Sequence, residues 1–252
     1  MRILFIGDIY GQKALDYLVE KVPFLKSEYK PNLIIANAEN SGPNGRSITH
    51  AQYKQLMKSG INYLTMGNHT FKHHELETFI KDANIIKPLN DGINLGVGYK
   101  IVNYNDKKLL IINALGTVGM AENYESAFLK IKEILTTQKY DYSLLDFHAE
   151  MTSEKIALAY YLDGLVDVVI GTHTHVQTND ARKLPQGTLY ITDVGMTGAL
   201  HGVIGVDAKI IIDRFINGYT VPNKIAEGKN QLNAVIIELS PKRLIQTIHI
   251  ED

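Results

Sequence analysis

Short apolar, β-branched runs alternate with helical patterns along most of this chain, and that alternation restricts the fold more than any other feature. RILFIG precedes a helical stretch from about Gln12 to Tyr29. NLIIANAEN precedes a second near Thr49 to Ser59, with Thr49 as its cap, and INYLTMGNHT a third around His74 to Asp82. A fourth helical pattern, near Asn123 to Gln138, leads into YSLLDFHAE. Thr152 caps a fifth, SEKIALAYYLDG, which stops at Gly164. VDVVIGTHTH and TLYITDVGMTG read as further strands. The expectation is an α/β fold: a layered β-sheet sandwich flanked by helices. GYKIVNY and KKLLIINAL, joined by NDKK, read as one hairpin, and AVIIELS with RLIQTIHI as another, so the sheet is mixed. No repeat, low-complexity tract or Pro/Gly/Ser linker divides the 252 residues, so one domain over 1–252 is expected. INGYTVPNKIAEGKNQ, at 216–231, is the most loop-like stretch.

Composition narrows the chemistry. Cysteine is absent, which excludes disulfides, thiolate metal sites and cysteine nucleophiles. A net charge of −1 gives no Lys/Arg excess for broad binding to a phosphate backbone. No basic run with interleaved aromatics marks an RNA groove. The N-terminal MRILFIGD lacks a signal peptide's apolar core, and no stretch approaches the ~20 apolar residues of a membrane span. A cytoplasmic protein is expected, and a homo-oligomer, because such assemblies are common.

The residues that end the strands share one chemistry. Asp8 follows the first strand, Glu39 and Asn40 the second, and Asn68 and His69 the third; His148 follows a later one, then His173 and His175. In layered α/β folds, ligand sites gather along the carboxyl edge of the sheet. These positions therefore converge although they are far apart in sequence. His173 and His175, two apart at a strand exit, are expected to face the same side. Two carboxylates, two Asn and three His form an oxygen/nitrogen donor set suited to first-row divalent metals and too large for one ion. Two ions sharing a bridging carboxylate would use most of it. The remaining histidines are read differently. His73 and His74 belong to a solvated helix start, His50 sits beside a cap, His249 lies in the last strand, and His201 in GALHG is taken as unrelated. Tyr10, Tyr99 and Tyr124 are base-stacking candidates only if they reach the cleft, and packing is the expected role of each.

These blocks resemble the metallophosphoesterase superfamily, whose series runs D-x-H, GD, GNH, H and GHxH. More closely, MRILFIGDIYG, MGNHT, DFHAE with TSEK, YLDG, GTHTHVQT and DVGMTG are similar, in order, to the YmdB-like cyclic-nucleotide phosphodiesterases. Two departures from the superfamily fit that branch: Asp8-Ile9-Tyr10 lacks the histidine of D-x-H, and Glu39 replaces the bridging aspartate. A third departs from the branch itself, because DVGMTG continues as ALHG rather than as proline and polar residues.

The resemblance implies two metal ions per chain, iron or manganese. Asp8, Glu39 and His175, with Asn40, would hold one, and Glu39, Asn68, His148 and His173 the other. His69 would be the general acid for attack by a metal-bridging hydroxide on a small phosphodiester. A cyclic nucleotide is implied, with the 2′,3′ class favoured. The competing readings are a phosphomonoesterase or RNA nuclease using the same ions, and a non-catalytic regulator that binds metal and nucleotide.

Overall fold

The computed structural model describes residues 1–218 and 221–252. In chain order the first half contains β1 (Arg2–Ile6), β2 (Asp8–Ile9), α1 (Gly11–Tyr29), β3 (Leu33–Asn37), α2 (His50–Ser59), β4 (Tyr63–Thr65) and β5 (Ile85–Ile86). There follow β6 (Tyr99–Tyr104), β7 (Lys107–Leu115), α3 (Phe128–Thr137), β8 (Tyr142–His148), α4 (Thr152–Tyr161) and β9 (Val168–Thr172). The chain closes with β10 (Arg182–Lys183), β11 (Leu189–Ile191), β12 (Met196–Ala199), α5 (Ala208–Asn217), β13 (Asn230–Glu238) and β14 (Leu244–Glu251).

The strands make two sheets. One runs β2-β12-β13-β1-β3-β4-β5, with β14 also paired to β13; the other runs β10-β11-β9-β8-β7-β6. Both are mixed, and each has a parallel centre: β1, β3 and β4 in the first, β7, β8 and β9 in the second. Both expected hairpins form, as β6–β7 and β13–β14.

The layering follows from strands that are apolar on both faces. In β1, Ile3 and Phe5 point between the sheets and pack with Leu109, Ile111, Leu144, Val168 and Ile170 of the second sheet. Leu4 and Ile6 point the other way, onto Leu15, Leu18, Val22 and Leu25 of α1. The second sheet repeats the pattern, with Leu110, Ile112, Leu145 and Phe147 meeting Ile131 and Leu135 of α3 and Leu158 and Ala159 of α4. Near-continuous apolar runs are what a strand covered on both faces requires. Each fully buried Leu, Ile or Phe contributes roughly 1.5–3 kcal/mol. The result is helix, sheet, sheet, helix, with one core between the sheets and another under the helices on each outer face.

Several local expectations change. His74–Asp82 forms two short 3₁₀ segments, His74–Thr78 and Ile80–Asp82, rather than one α-helix. Buried Leu76, Phe79 and Ile80 dock the segment on the core, so tertiary contact overrides its helical pattern. TLYITDVGMTG is not one strand. It splits into β11 and β12, which lie in different sheets, and the chain turns between them at Gly195 with φ of 85°. Thr49 caps α2, accepting a bond from Gln52 N in a capping box. Thr152 is instead the first residue of α4, behind Met151, and that helix ends at Tyr161, short of Gly164. α3 begins at Phe128, later than Asn123. The loop-like stretch from 216 opens on the last residues of α5, and Tyr219 and Thr220 within it lie outside the described residues. Among the described residues no helix is long and apolar enough to cross a membrane.

Candidate metal centre

The parallel strands of both sheets end along one edge, and the seven candidate donor residues meet there. Glu39 follows β3, Asn68 follows β4, His148 ends β8, and His173 follows β9. Glu39, His148 and His173 each offer a donor atom within 4.8 Å of the others. His148 Nε2 lies 3.0 Å from His173 Nδ1, 3.2 Å from Asn68 Oδ1 and 3.2 Å from Glu39 Oε1. A second, looser group sits beside it: Asp8 Oδ1 is 4.0 Å from His175 Nε2, and Asn40 Nδ2 lies 3.1 Å from that same nitrogen. Glu39 lies between the groups, since its Oε1 also accepts from Asn40 Nδ2 at 2.8 Å.

Neighbouring groups fix which nitrogen of each ring is left for coordination. Thr172 Oγ1 takes His148 Nδ1 at 2.8 Å, and the Ile204 carbonyl takes His175 Nδ1 at 2.8 Å. Both rings therefore turn Nε2 to the cluster. His173 is reversed: its Nε2 faces Glu150 Oε2 at 3.1 Å, which leaves Nδ1 inward. Outer partners of this kind set ring tautomers at metal sites.

The donor set fits cations. Asp8 Oδ1 is fully buried and has no hydrogen-bond partner among the described residues. An unpaired carboxylate oxygen is costly in that setting unless a cation meets it. A Cβ at Gly67 would collide with Glu39 Oε2 and His148 Nε2, so only glycine leaves the donors room. The charges agree. Burial pushes the Asp8 carboxyl up to about 7, against the pull of His148 and His175. Burial also acts to raise Glu39, but His148 and His69 outweigh it and hold that carboxyl well below the usual range. Burial opposes a charge on His148, yet Glu39, then Asp8 and Asp146, carry its pKa up to about 9. His173 is pushed down to about 3 by burial and by the charge on His148. The cluster thus draws protons onto His148 and Asp8, and metal binding would displace them.

His69 stands over this cluster. Its backbone N–H donates to Glu39 Oε2 at 2.9 Å and its Nδ1 meets Asn40 Oδ1 at 2.7 Å. Burial lowers its pKa, partly offset by Glu39. The Asn40 amide thus turns its NH₂ toward Glu39 and His175. To ligate through Oδ1 it must turn over, which would also reverse the donor role of His69 Nδ1.

Glu39, Asn40, His173 and His175 line a cleft of about 830 Å³, together with Tyr10, Pro43, Arg46, Lys72, Ile204 and Val206 among others. Tyr10, at the position where the D-x-H pattern has histidine, is buried edge-on to His175 with centroids 5.3 Å apart. Tyr99 lies on the edge strand β6, away from the cleft, and Tyr124 lines a smaller neighbouring hollow with Asn68. His73, which on sequence belongs to a solvated helix start, lines the cleft, because the 3₁₀ segment starts at its rim. His50 stacks on Phe79, His74 is almost fully exposed, His249 bonds Asn233, and His201 is exposed outside the cleft. Sequence reasoning misses Arg46, Lys72, Glu150 and Thr172. Glu150 lies in the DFHAE block and Thr172 in GTHTHVQT, so for these two the blocks themselves are the available signal.

Fold and site together define a metallophosphoesterase-like protein. The YmdB-like protein family matches residues 4–250, and the chain belongs to that family. It is similar to a 2′,3′-cyclic-nucleotide 2′-phosphodiesterase of Bacillus subtilis (strain 168), with 45% identity over 244 residues that cover 95% of this chain and 91% of the relative. Among solved structures, a hypothetical protein from Thermus thermophilus superposes with a TM-score of 0.94 at 36% identity, covering 100% of both chains. A novel phosphatase from Mycoplasma pneumoniae gives 0.92 at 35% identity, covering 100% of this chain and 93% of that one.

Proposed function

We propose that this chain hydrolyses small phosphodiesters, with 2′,3′-cyclic nucleotides as the favoured class, at a centre holding two divalent ions, iron or manganese. The observation that carries the reading is the position of Glu39. It stands between the His148–His173–Asn68 group and the Asp8–His175–Asn40 group, as a bridging carboxylate would. The activity named for the Bacillus subtilis relative supports the substrate class. Asp8, Glu39 and His175 would hold one ion, with Asn40 beside it keeping its Oδ1 on the His69 Nδ1–H. Glu39, Asn68, His148 and His173 would hold the other. Bound there, divalent ions supply Lewis acidity toward a phosphoryl group and an activated water at neutral pH.

The protein's own groups do the rest. Thr172 and the Ile204 carbonyl keep the Nε2 lone pairs of His148 and His175 available. Arg46 and Lys72, at the cleft wall, draw in an anion. Hydrolysis of a cyclic diester expels an alkoxide, which leaves poorly unless protonated. His69 lines the cleft with Nδ1 engaged on Asn40, so its other nitrogen delivers that proton. A chain of net charge −1 suits a small anion better than RNA.

The test is elemental analysis of anaerobically prepared protein, together with turnover of 2′,3′-cyclic AMP, 3′,5′-cyclic AMP, a phosphomonoester and a short RNA. Two ions with fastest turnover of the 2′,3′-cyclic diester are expected. Two ions with monoester or RNA preferred would move the substrate. Tight cyclic-nucleotide binding without turnover would make the chain a regulator. No transition metal after reconstitution would overturn the centre itself.

A further inference from the structure

Lys155, on α4, has no exposed surface. Its Nζ donates to the Thr172 carbonyl at 2.8 Å and to Asp193 Oδ2 at 2.8 Å. Asp193 is equally buried and comes from the turn between β11 and β12. Its Oδ2 also accepts Thr174 N–H at 3.1 Å, its Oδ1 accepts Gly195 N–H at 2.8 Å, and its backbone N–H and carbonyl bond Thr178 Oγ1 and N at 2.9 and 3.0 Å. The pair thus grips the residue before His173 and the residue between His173 and His175. Those two histidines have φ of 104° and 65°. Non-glycine residues hold the left-handed region only where their surroundings impose it. Gly171 belongs to the same device, because a side chain there would run into the Thr192 carbonyl and the Lys155 stem.

We propose that the buried Lys155–Asp193 ion pair is a positioning device that sets the left-handed backbone at His173 and His175, and so aims both imidazoles at the donor cluster. The inference rests on reading that cluster as a metal centre. Neither residue touches the donor atoms, and both act through the loop. Replacing a buried ion pair by apolar groups of similar volume is often neutral or stabilising, so fold stability alone gives no reason for charges here. Holding a carbonyl and an N–H of one strained loop from α4 and from the turn between β11 and β12 does give one: it takes a donor beside an acceptor, and charged groups make the stronger hydrogen bonds.

The experiment compares the full chain with the double variant Lys155→Met/Asp193→Asn, which keeps volume and leaves no lone buried charge. Mn²⁺ binding is measured by equilibrium dialysis, its spectrum by electron paramagnetic resonance, and the metal-free melting temperature by circular dichroism. The double variant should melt close to wild type, bind Mn²⁺ about 10–100-fold more weakly and show an altered spectrum, as happens when the supports behind metal ligands are lost. Asp193→Glu, which keeps both charges but displaces the grip, covers the case in which the neutral pair does not fold, and it should weaken Mn²⁺ in the same way. Wild-type Mn²⁺ affinity and spectrum in a folded variant overturn the inference alone. A wild type that takes up no Mn²⁺ overturns the metal-centre reading and this inference with it.

Discussion

Thr172→Val isolates one hydroxyl at the centre of the site. Thr172 Oγ1 accepts a hydrogen bond from His148 Nδ1–H at 2.8 Å and donates to Asp146 Oδ1 at 2.7 Å, and all three side chains are fully buried. Valine has the same shape, so no cavity opens, and the whole effect is polar. The substitution removes one bond to a carboxylate, worth roughly 1.5–3 kcal/mol, and strands a buried ring N–H at roughly 1–3 kcal/mol. Burial already raises the Asp146 pKa, so that carboxyl can take up a proton and soften its own loss, which favours the lower half of the range. In a chain of this size each kcal/mol moves the melting temperature by about 2–4 °C. The metal-free Thr172→Val protein should therefore melt roughly 5–15 °C lower. With nothing to hold the His148 tautomer, Mn²⁺ affinity should also fall about 10–100-fold. Thr172→Ser keeps the hydroxyl and should keep most of both. Calorimetry of the metal-free proteins and equilibrium dialysis of Mn²⁺ decide the matter. If Thr172→Val melts within about 1 °C of wild type and binds Mn²⁺ equally well, the hydroxyl does not orient His148.

His69→Ala should retain its metals by elemental analysis and lose about 10²–10⁴-fold in kcat, the usual size of acid catalysis; unchanged turnover with intact metal would remove His69 from that role. Glu39→Ala takes away the carboxylate between the two groups and should empty at least one site, so two ions still bound per chain would refute the bridge. Gly67→Ala should leave a folded protein, with overpacking of about 1–3 kcal/mol, that binds metal weakly, because its methyl intrudes on Glu39 and His148; full occupancy would show that the donors move aside. The pH dependence has a definite sign. Burial holds the His69 pKa below its ordinary 6.5, so as pH rises the ring loses its proton earlier than a free histidine. With the protonated ring as acid, kcat/KM should fall along a limb whose midpoint lies below 6.5 and which disappears in His69→Gln. A limb that survives the substitution belongs to another group.

The donor residues are legible in the sequence because their signal is local. An apolar run that ends on Asp, Glu-Asn, Asn-His or His announces a strand end with chemistry attached, and the parallel centres of both sheets bring those ends to one edge. The aim of the side chains is not legible in the same way. Alternation along a strand predicts that His173 and His175 share a side, but β9 stops at Thr172 and both histidines lie beyond it in left-handed backbone. What brings them to the cluster is held from elsewhere: Lys155 on a helix, Asp193 at the turn between strands of different sheets. In sequence, Lys155 is hidden inside SEKIALAYYLDG, which reads only as a helix, and Asp193 inside TLYITDVGMTG, which reads as one strand. Gly195 shows why that reading fails, since its φ of 85° turns the chain out of one sheet and into the other, and a Cβ there would meet Gln177 and Asn233. Which residues can supply donor atoms is thus written at the strand ends. Where those atoms point depends on contacts between layers, and the Lys155–Asp193 contact spans 38 positions of sequence.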